Sequence, residues 1–355
     1  MTSMAPTDGA WTDAGGWKVA LGRLADGDDL DPELAAGAVD QVLSGDATDA
    51  QLGGFLVGLR AKGASPAEVD AMVDAMLAHA APLLLPDPVG TVDIVGTGGS
   101  RLRQDVAFNI STTSCFVVAG AGVPVCKHGN RKASSSSGST DVLEALGIAV
   151  ELDGDAVARC VAEAGIGFAF ARVFHPAMRF AGPVRAELGI PTIFNVLGPL
   201  SHPGGVRRQV IGVADPALAP LVIDVLRRRE APRAMVVHGS DGLDELTLTG
   251  PSFLWELRDG TVTESEVHPA HLGLTTAVVE DLGVGAPDAN AVAVREILGG
   301  SGGARRDVVL LNAAAGLVVS GEVDELAAGI ELATRSIDNG AAAEKLERLV
   351  AVSNS

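Results

Sequence analysis

The feature that most constrains this fold is a change of rhythm at Pro82-Leu83-Leu84-Leu85-Pro86-Asp87-Pro88. Three prolines so close together stop any helix, because each fixes φ and removes an N–H. Ahead of them, from Trp17 to about Ala81, the chain reads as helices with short breaks. Thr48 and Gln51 form a capping-box pair, and Ser65-Pro66-Ala67-Glu68 adds a proline at the first helical position. Behind them strands and helices alternate. Strands are predicted at Thr91–Val95, near Pro124–Cys126 and Ile166–Phe170, and at Gln209–Val213 and Ala234–Val237. Helices are predicted at Asp141–Leu146, Asn290–Leu298 and Asp324–Asn339. The expectation is an α/β protein: a small N-terminal helical domain over 17–88, then a larger domain whose mainly parallel sheet is flanked by helices. Residues 1–16 are small, polar and glycine-rich, and are expected to be disordered.

Charge and composition exclude several classes. The formal net charge of −19 leaves basic residues scattered, whereas a duplex-binding protein needs a basic face. With no Tyr and 3% aromatic residues there is no stacking platform for bases. No apolar run is long enough to cross a membrane, and the N-terminus lacks the pattern of a secretory signal. Cys115, Cys126 and Cys160 lie in apolar surroundings at no metal-ligand spacing. They read as buried reduced thiols of a cytoplasmic protein.

The stretch from Asn109 to Gly147 carries the chemistry. Asn109-Ile110-Ser111-Thr112-Thr113 sits just before a helix-like run ending near Gly120, so amides and hydroxyls crowd a helix N-terminus, where phosphate binds. The strand near Pro124–Cys126 then delivers Lys127, His128, Gly129, Asn130 and Arg131 to its C-terminal edge, the usual ligand side of an open α/β sheet. Ser134 to Ser139 forms a second hydroxyl-rich turn. Gly96-Thr97-Gly98-Gly99 follows a predicted strand, and glycine there lets backbone amides approach oxyanions. Lys127 suits a point-charge contact to phosphate, against the alternative of a plain surface lysine. Asp244 and Glu245 are adjacent carboxylates able to face one hard cation such as Mg²⁺. Taken alone, the pair reads more readily as a solvated acidic turn.

KHGNR, SSxSGSxDVLEALG, FHPAM, TIFNxLGPL and HGxDGLDEL together resemble the anthranilate phosphoribosyltransferase family, in that family's order, from about Trp17 to Val350. The resemblance implies transfer of phosphoribosyl from phosphoribosyl diphosphate to the amine of anthranilate, with release of diphosphate, in tryptophan biosynthesis. It places Gly96, Thr97, Gly98, Gly99, Asn109, Ser111, Thr112, Lys127 and Ser139 in the donor site. Asp244 and Glu245 match the metal-binding pair, and Ser111 is implied as a further Mg²⁺ contact. Asn130, His175 and Arg185 are implied on the acceptor side, where an arginine suits the anthranilate carboxylate. The resemblance also implies that about Pro176 to Gly198 rejoins the helical domain, leaving 89–175 and 199–355 as the donor-binding domain, and that the chain is a homodimer. No dedicated general base stands out, so positioning and metal carry the reaction.

One segment departs from the family pattern. Ser100 stands for the usual Asp of GTGGDG, Arg101 for its second glycine and Ala107 for a Thr, in a link about three residues longer. Arg172 stands where Pro is usual. Drift in a tolerant loop is one reading; a paralogue acting on another aromatic carboxylate in secondary metabolism is the second. A nucleoside phosphorylase of related fold fits less well, since HGSDGLDEL and FHPAM are intact. A non-catalytic regulatory relative would be expected to lose KHGN and the Asp-Glu pair.

Overall fold

In a computed structural model, residues 11–12, 14–100, 108–131 and 138–355 are described. The N-terminal part holds the helices Gly16–Asp26, Pro32–Ser44, Asp49–Lys62 and Pro66–Ala78. Both capping signals form. The Thr48 amide donates to Gln51 Oε1 at 2.9 Å and the Gln51 amide to Thr48 Oγ1 at 3.3 Å. Ser65 and Glu68 make the same reciprocal pair. Glu68 is fully buried, which its partners make tolerable: it also takes the Leu30 amide at 2.7 Å and pairs with Lys62 at 2.9 Å. Trp11, inside the segment expected to be disordered, is instead buried edge-on against Trp17 at 5.4 Å between ring centroids. Most of that segment, residues 1–10 and 13, lies outside the described residues.

The second part is a seven-stranded sheet of order β3-β2-β1-β4-β5-β6-β7. Its strands are β1 Val92–Gly96, β2 Val125–Gly129, β3 Ile166–Phe170, β4 Arg208–Gly212, β5 Arg233–Gly239, β6 Ser252–Arg258 and β7 Thr261–Val267. The first five are parallel. The last two form an antiparallel hairpin, turned at Asp259-Gly260, where both residues have left-handed φ of 50° and 78°. Because β1 has β2 on one side and β4 on the other, the order reverses at the β1/β4 junction. A crevice opens there at the C-terminal strand ends.

Among the described residues three buried clusters form the core. One draws on β1 to β6, from Ile94 and Ile166 to Val210, Val237 and Leu254, and includes the helices Ile110–Gly120 and Ala304–Ser320. They approach so closely that a Cβ on Gly316 would lie 2.7 Å from Ile94 and 2.9 Å from Val118. The second runs from Phe55 and Leu56 in the helical part, through Val184, Phe194 and Leu197, to Ile211 and Val236 in the sheet. The helices Gly182–Leu188 and Ile193–Leu200 therefore pack on the same core as the N-terminal helices. The third and smallest cluster gathers Leu83 and Leu85 from the first place where the chain passes between the two parts, Phe174 from the second and Val206 from the third. Among the described residues no helix is long and apolar enough to cross a membrane.

Candidate active site

The crevice is built first by small residues at strand ends. Gly96 ends β1 and Gly212 ends β4, and both lie against Asp244. A Cβ on Gly96 would sit 2.2 Å from Asp244 Oδ2, and one on Gly212 only 1.7 Å from the Asp244 carbonyl oxygen. Glycine is what lets the acidic loop after β5 lie flat on these strands. Gly98 takes a left-handed φ of 67°, and its amide donates to Asp244 Oδ2 at 2.9 Å. Asp241 braces the same loop, accepting from the hydroxyls of Thr247 and Thr249 and from the Leu243 amide.

Glu245 faces the other way, to the start of the helix Ile110–Gly120, where the Ser111 amide donates to its Oε1 at 3.1 Å. Asp244 and Glu245 are both buried. The sequence placed the hydroxyls of Ser111 and Thr112 just ahead of this helix; the structure puts them in its first turn, with Asn109 at the N-cap position. Asn109 Oδ1 and Thr112 Oγ1 are buried with no hydrogen-bond partner among the described residues. Lys127, in β2, is buried and donates through Nζ to the Ile94 carbonyl. Next to it in the sheet Asp93 is fully buried and accepts from the His128 amide and from Gln209. Burial raises the Asp93 carboxyl above its ordinary range.

Behind the crevice three histidines touch. His128 lies 5.2 Å from His175 and 5.8 Å from His202 between ring centroids. His202 Nδ1 accepts from the Gly204 amide, so Nε2 carries the proton donated to the Cys126 carbonyl; the ring is neutral and in one tautomer. His128 Nδ1 faces the Gly198 carbonyl at 3.2 Å and must donate there, which leaves Nε2 a lone-pair acceptor without a partner among the described residues. His175 Nε2 donates to the Ser201 carbonyl at 3.0 Å. Burial pushes all three down, His175 to about 4 and His128 well below its usual value.

Arg185, in the helix Gly182–Leu188, is half-buried, and burial lowers its guanidinium from the ordinary value. It stacks over Phe194 at 5.5 Å and makes no carboxylate ion pair among the described residues, an arrangement suited to an incoming anion. Its Nη2 lies 3.4 Å from Asn195 Oδ1, to which it donates. Asn195 in turn donates to the Thr97 carbonyl at 3.3 Å. A cavity of about 670 Å³ opens beside this bridge, lined by Thr97, Gly98, Gly99, Asn195, Arg60 and Asp241 among others.

The sequence-derived residues thus fall into neighbouring groups. Gly96, Thr97, Gly98, Asp244, Glu245 and Ser111 meet through direct contacts. Gly99 continues the loop with a left-handed φ of 87° and lines the cavity. Ser139 joins the end of β2, donating to the Asn130 carbonyl at 3.1 Å, while Asn130 Oδ1 takes the Arg131 amide. His175 sits in the histidine cluster and Arg185 at the Asn195 bridge. The cavity lies to the β4/β5 side of Thr97–Ser100, and of the expected residues only Thr97, Gly98 and Gly99 line it. Ser100 is buried, its hydroxyl without a partner among the described residues, and Arg172 is exposed. Arg101, Arg103, Ala107 and the serines 134–137 lie outside the described residues. Sequence reasoning did not single out Asn195, His202, Asp93 or Asp241. Asn195 lies in TIFNxLGPL and Asp241 in HGSDGLDEL, both motifs in plain view, but the contacts are made by residues far away in sequence.

By its two matching domains, a helical bundle ahead of an α/β domain whose amides and two carboxylates meet at the switch point, the chain is a glycosyl transferase. The helical bundle domain of the glycosyl transferase family matches residues 18–80 and its a/b domain matches residues 89–343. The anthranilate phosphoribosyltransferase of Arthrobacter sp. is 50% identical over 359 residues, covering 99% of this chain and 99% of that protein. That of Parvibaculum lavamentivorans is 49% identical over 338 residues, covering 95% of this chain and 98% of its own. The chain belongs to the anthranilate phosphoribosyltransferase family. Among solved structures, the Thermus thermophilus enzyme superposes with a TM-score of 0.89 at 40% identity, covering 95% of this chain and 99% of its own. The Saccharomyces cerevisiae enzyme in complex with PRPP and Mg gives 0.85 at 26% identity, covering 97% and 99%. The same yeast enzyme has also been solved with 4-fluoroanthranilate.

Proposed function

We propose that this chain joins the ribose C1 of phosphoribosyl diphosphate to the amine of anthranilate, releasing diphosphate, as a cytoplasmic step of tryptophan biosynthesis. The observation that carries this reading is the convergence of Asp244 and Glu245 with the Gly98 and Ser111 amides at the sheet's switch point. Anionic phosphates require amides and hydroxyls. Here the Gly98 and Gly99 backbone and the Thr112 and Ser139 hydroxyls supply them, and Lys127 adds a cation. The Thr112 hydroxyl, partnerless among the described residues, can donate to a phosphate oxygen, while Asn109 Oδ1, an acceptor only, suits a sugar hydroxyl of the same ligand.

Two buried carboxylates and a serine hydroxyl are hard oxygen donors, the set Mg²⁺ prefers, so Asp244, Glu245 and Ser111 fit that ion. Bound there, Mg²⁺ would offset the charge that builds on the departing diphosphate. Arg185 anchors the acceptor carboxylate, and His175 and Asn130 line the acceptor's approach. The amine is thereby held against C1, and proximity supplies much of the rate. The helical domain, with exposed apolar Val19, Val57, Phe180 and Ile190 in and beside it, is the surface through which we expect two copies to pair.

The test offers the purified protein phosphoribosyl diphosphate, Mg²⁺ and a panel of aminobenzoates and hydroxybenzoates, and follows diphosphate release. Turnover with anthranilate well above the others is expected. Turnover only with another aromatic acid would establish the specialised paralogue instead, and no turnover with any acceptor would overturn the reading.

A further inference from the structure

We propose that Asn195 is a positioning residue that couples the acceptor anchor Arg185 to the metal carboxylate Asp244 through the single peptide between Thr97 and Gly98. This inference rests on the roles proposed above for Arg185 and Asp244. Asn195 lies in the helix Ile193–Leu200, whose first turn faces the end of β1. Its Oδ1 accepts from the Thr192 amide at 3.0 Å and from Arg185 Nη2 at 3.4 Å. Its Nδ2 donates to the Thr97 carbonyl at 3.3 Å. The N–H on the other side of that same peptide belongs to Gly98 and donates to Asp244 Oδ2 at 2.9 Å.

A peptide unit is planar, so its C=O and N–H cannot turn independently. Asn195 grips one edge of the plane and Asp244 the other. Tilting the plane to relieve one contact spoils the second. Thr97 is also held from the β4 side, its amide donating to the Gly212 carbonyl at 2.8 Å and its hydroxyl accepting from the Ala214 amide at 3.4 Å. The freedom left to this loop is mainly rotation of the Thr97–Gly98 peptide, which the left-handed φ of Gly98 permits and the two hydrogen bonds oppose. Each bond in the series Arg185, Asn195, peptide, Asp244 has its donor and acceptor aligned the same way, so each polarises the next. The arrangement gives the two half-sites one shared geometry: the carboxylate that holds the metal is oriented by one edge of the Thr97–Gly98 peptide, and the acceptor anchor by the Asn195 side chain that grips its other edge.

A purely structural role for Asn195, as the cap of its helix through Thr192, makes a different prediction, and two variants separate them. Asn195→Ala removes all three contacts. Asn195→Asp keeps an oxygen for Thr192 and Arg185 but cannot donate to Thr97. The full-length protein is titrated calorimetrically with phosphoribosyl diphosphate in the presence of Mg²⁺ and with no acceptor, alongside thermal melts. Loss of one neutral hydrogen bond predicts donor binding weakened about three- to tenfold in both variants. The melting temperature of Asn195→Asp should meanwhile stay close to that of the unsubstituted chain. Donor affinity within twofold of the unsubstituted chain in Asn195→Ala, or full recovery of affinity together with stability in Asn195→Asp, would overturn the proposal and leave Asn195 a helix cap. Failure of the unsubstituted chain itself to bind donor with Mg²⁺ would overturn the proposed function, a distinguishable result that takes this inference with it.

Discussion

The Gly98 amide and the Asp244 carboxylate meet at 2.9 Å although 146 positions separate them in sequence. The meeting is possible because Gly96 and Gly212 present bare backbone to the Asp244 loop. Gly212→Ala should therefore push the acidic loop off β4, with a cost of about 1–3 kcal/mol of stability as for other overpacked sites. It should also weaken Mg²⁺-dependent turnover while leaving both carboxylates in place. Gly182→Ala, at a position where a Cβ meets nothing within 4 Å, serves as the control. Equal melting temperatures for the two variants would count against this packing account.

Replacing both carboxylates by amides, Asp244→Asn with Glu245→Gln, should remove Mg²⁺-dependent turnover by about 10²- to 10⁴-fold. Each amide oxygen can still accept from the Gly98 or Ser111 amide, so the fold should survive. Circular dichroism checks the fold and diphosphate release the rate. Near-normal turnover at saturating Mg²⁺ would remove the metal role from this pair.

Arg185→Ala should raise the Michaelis constant for the acceptor about ten- to a hundredfold, the scale of a charged bidentate contact, and change the donor constant far less. Arg185→Lys should recover only part of the loss, since an ammonium cannot present two parallel N–H groups. Steady-state kinetics with each substrate varied in turn checks this; equal effects on both constants would point to a structural role.

Acid should loosen the histidine cluster. The folded chain holds His175 neutral down to about pH 4, against 6.5 for an ordinary histidine. Between those values the unfolded chain binds a proton that the folded chain refuses, so stability falls as pH falls through that window. For His175 the loss is about 2 kcal/mol on going from about pH 7 to pH 5. His128 and His202 shift in the same direction, while buried Asp93, with its carboxyl raised, works against them. Urea denaturation across the range should show a shallower slope for His175→Gln. An unchanged slope would mean that His175 does not titrate on unfolding in this range.

Where local chemistry decides the outcome, the sequence was legible. Thr48 and Ser65 start helices as expected, and β3 spans Ile166–Phe170 as expected, a run of five buried residues behind a left-handed Gly165. The hairpin of β6 and β7 was missed because β7 reads TVTESEV, mostly exposed and polar, so no apolar alternation marks it. The helix Ala304–Ser320 was missed for the opposite reason: Val308 to Val319 are buried on every side, which erases the helical period. In the site, Asp244 and Glu245 alone suggested a solvated acidic turn, and only the resemblance of the whole HGSDGLDEL stretch singled them out; the structure buries both. The cluster of His128, His175 and His202, and the grip of Asn195 on Thr97, could not be read in the sequence. Each joins stretches of chain brought together only by the sheet order and by the passage of the chain between its two parts.

That passage has a mechanical consequence. The three crossings are laced to one another: the Ala81 amide donates to the Phe174 carbonyl at 2.8 Å, and Gly204 leaves room for Leu83 and Leu85. Lobes joined by one strap are free to twist against each other, whereas three passages laced along one seam, beside a core that both lobes share, hold them in one register. His175 and His202 sit on that seam and Arg185 in the lobe beside it, so the lacing that joins the lobes also sets where the arginine stands relative to Asp244.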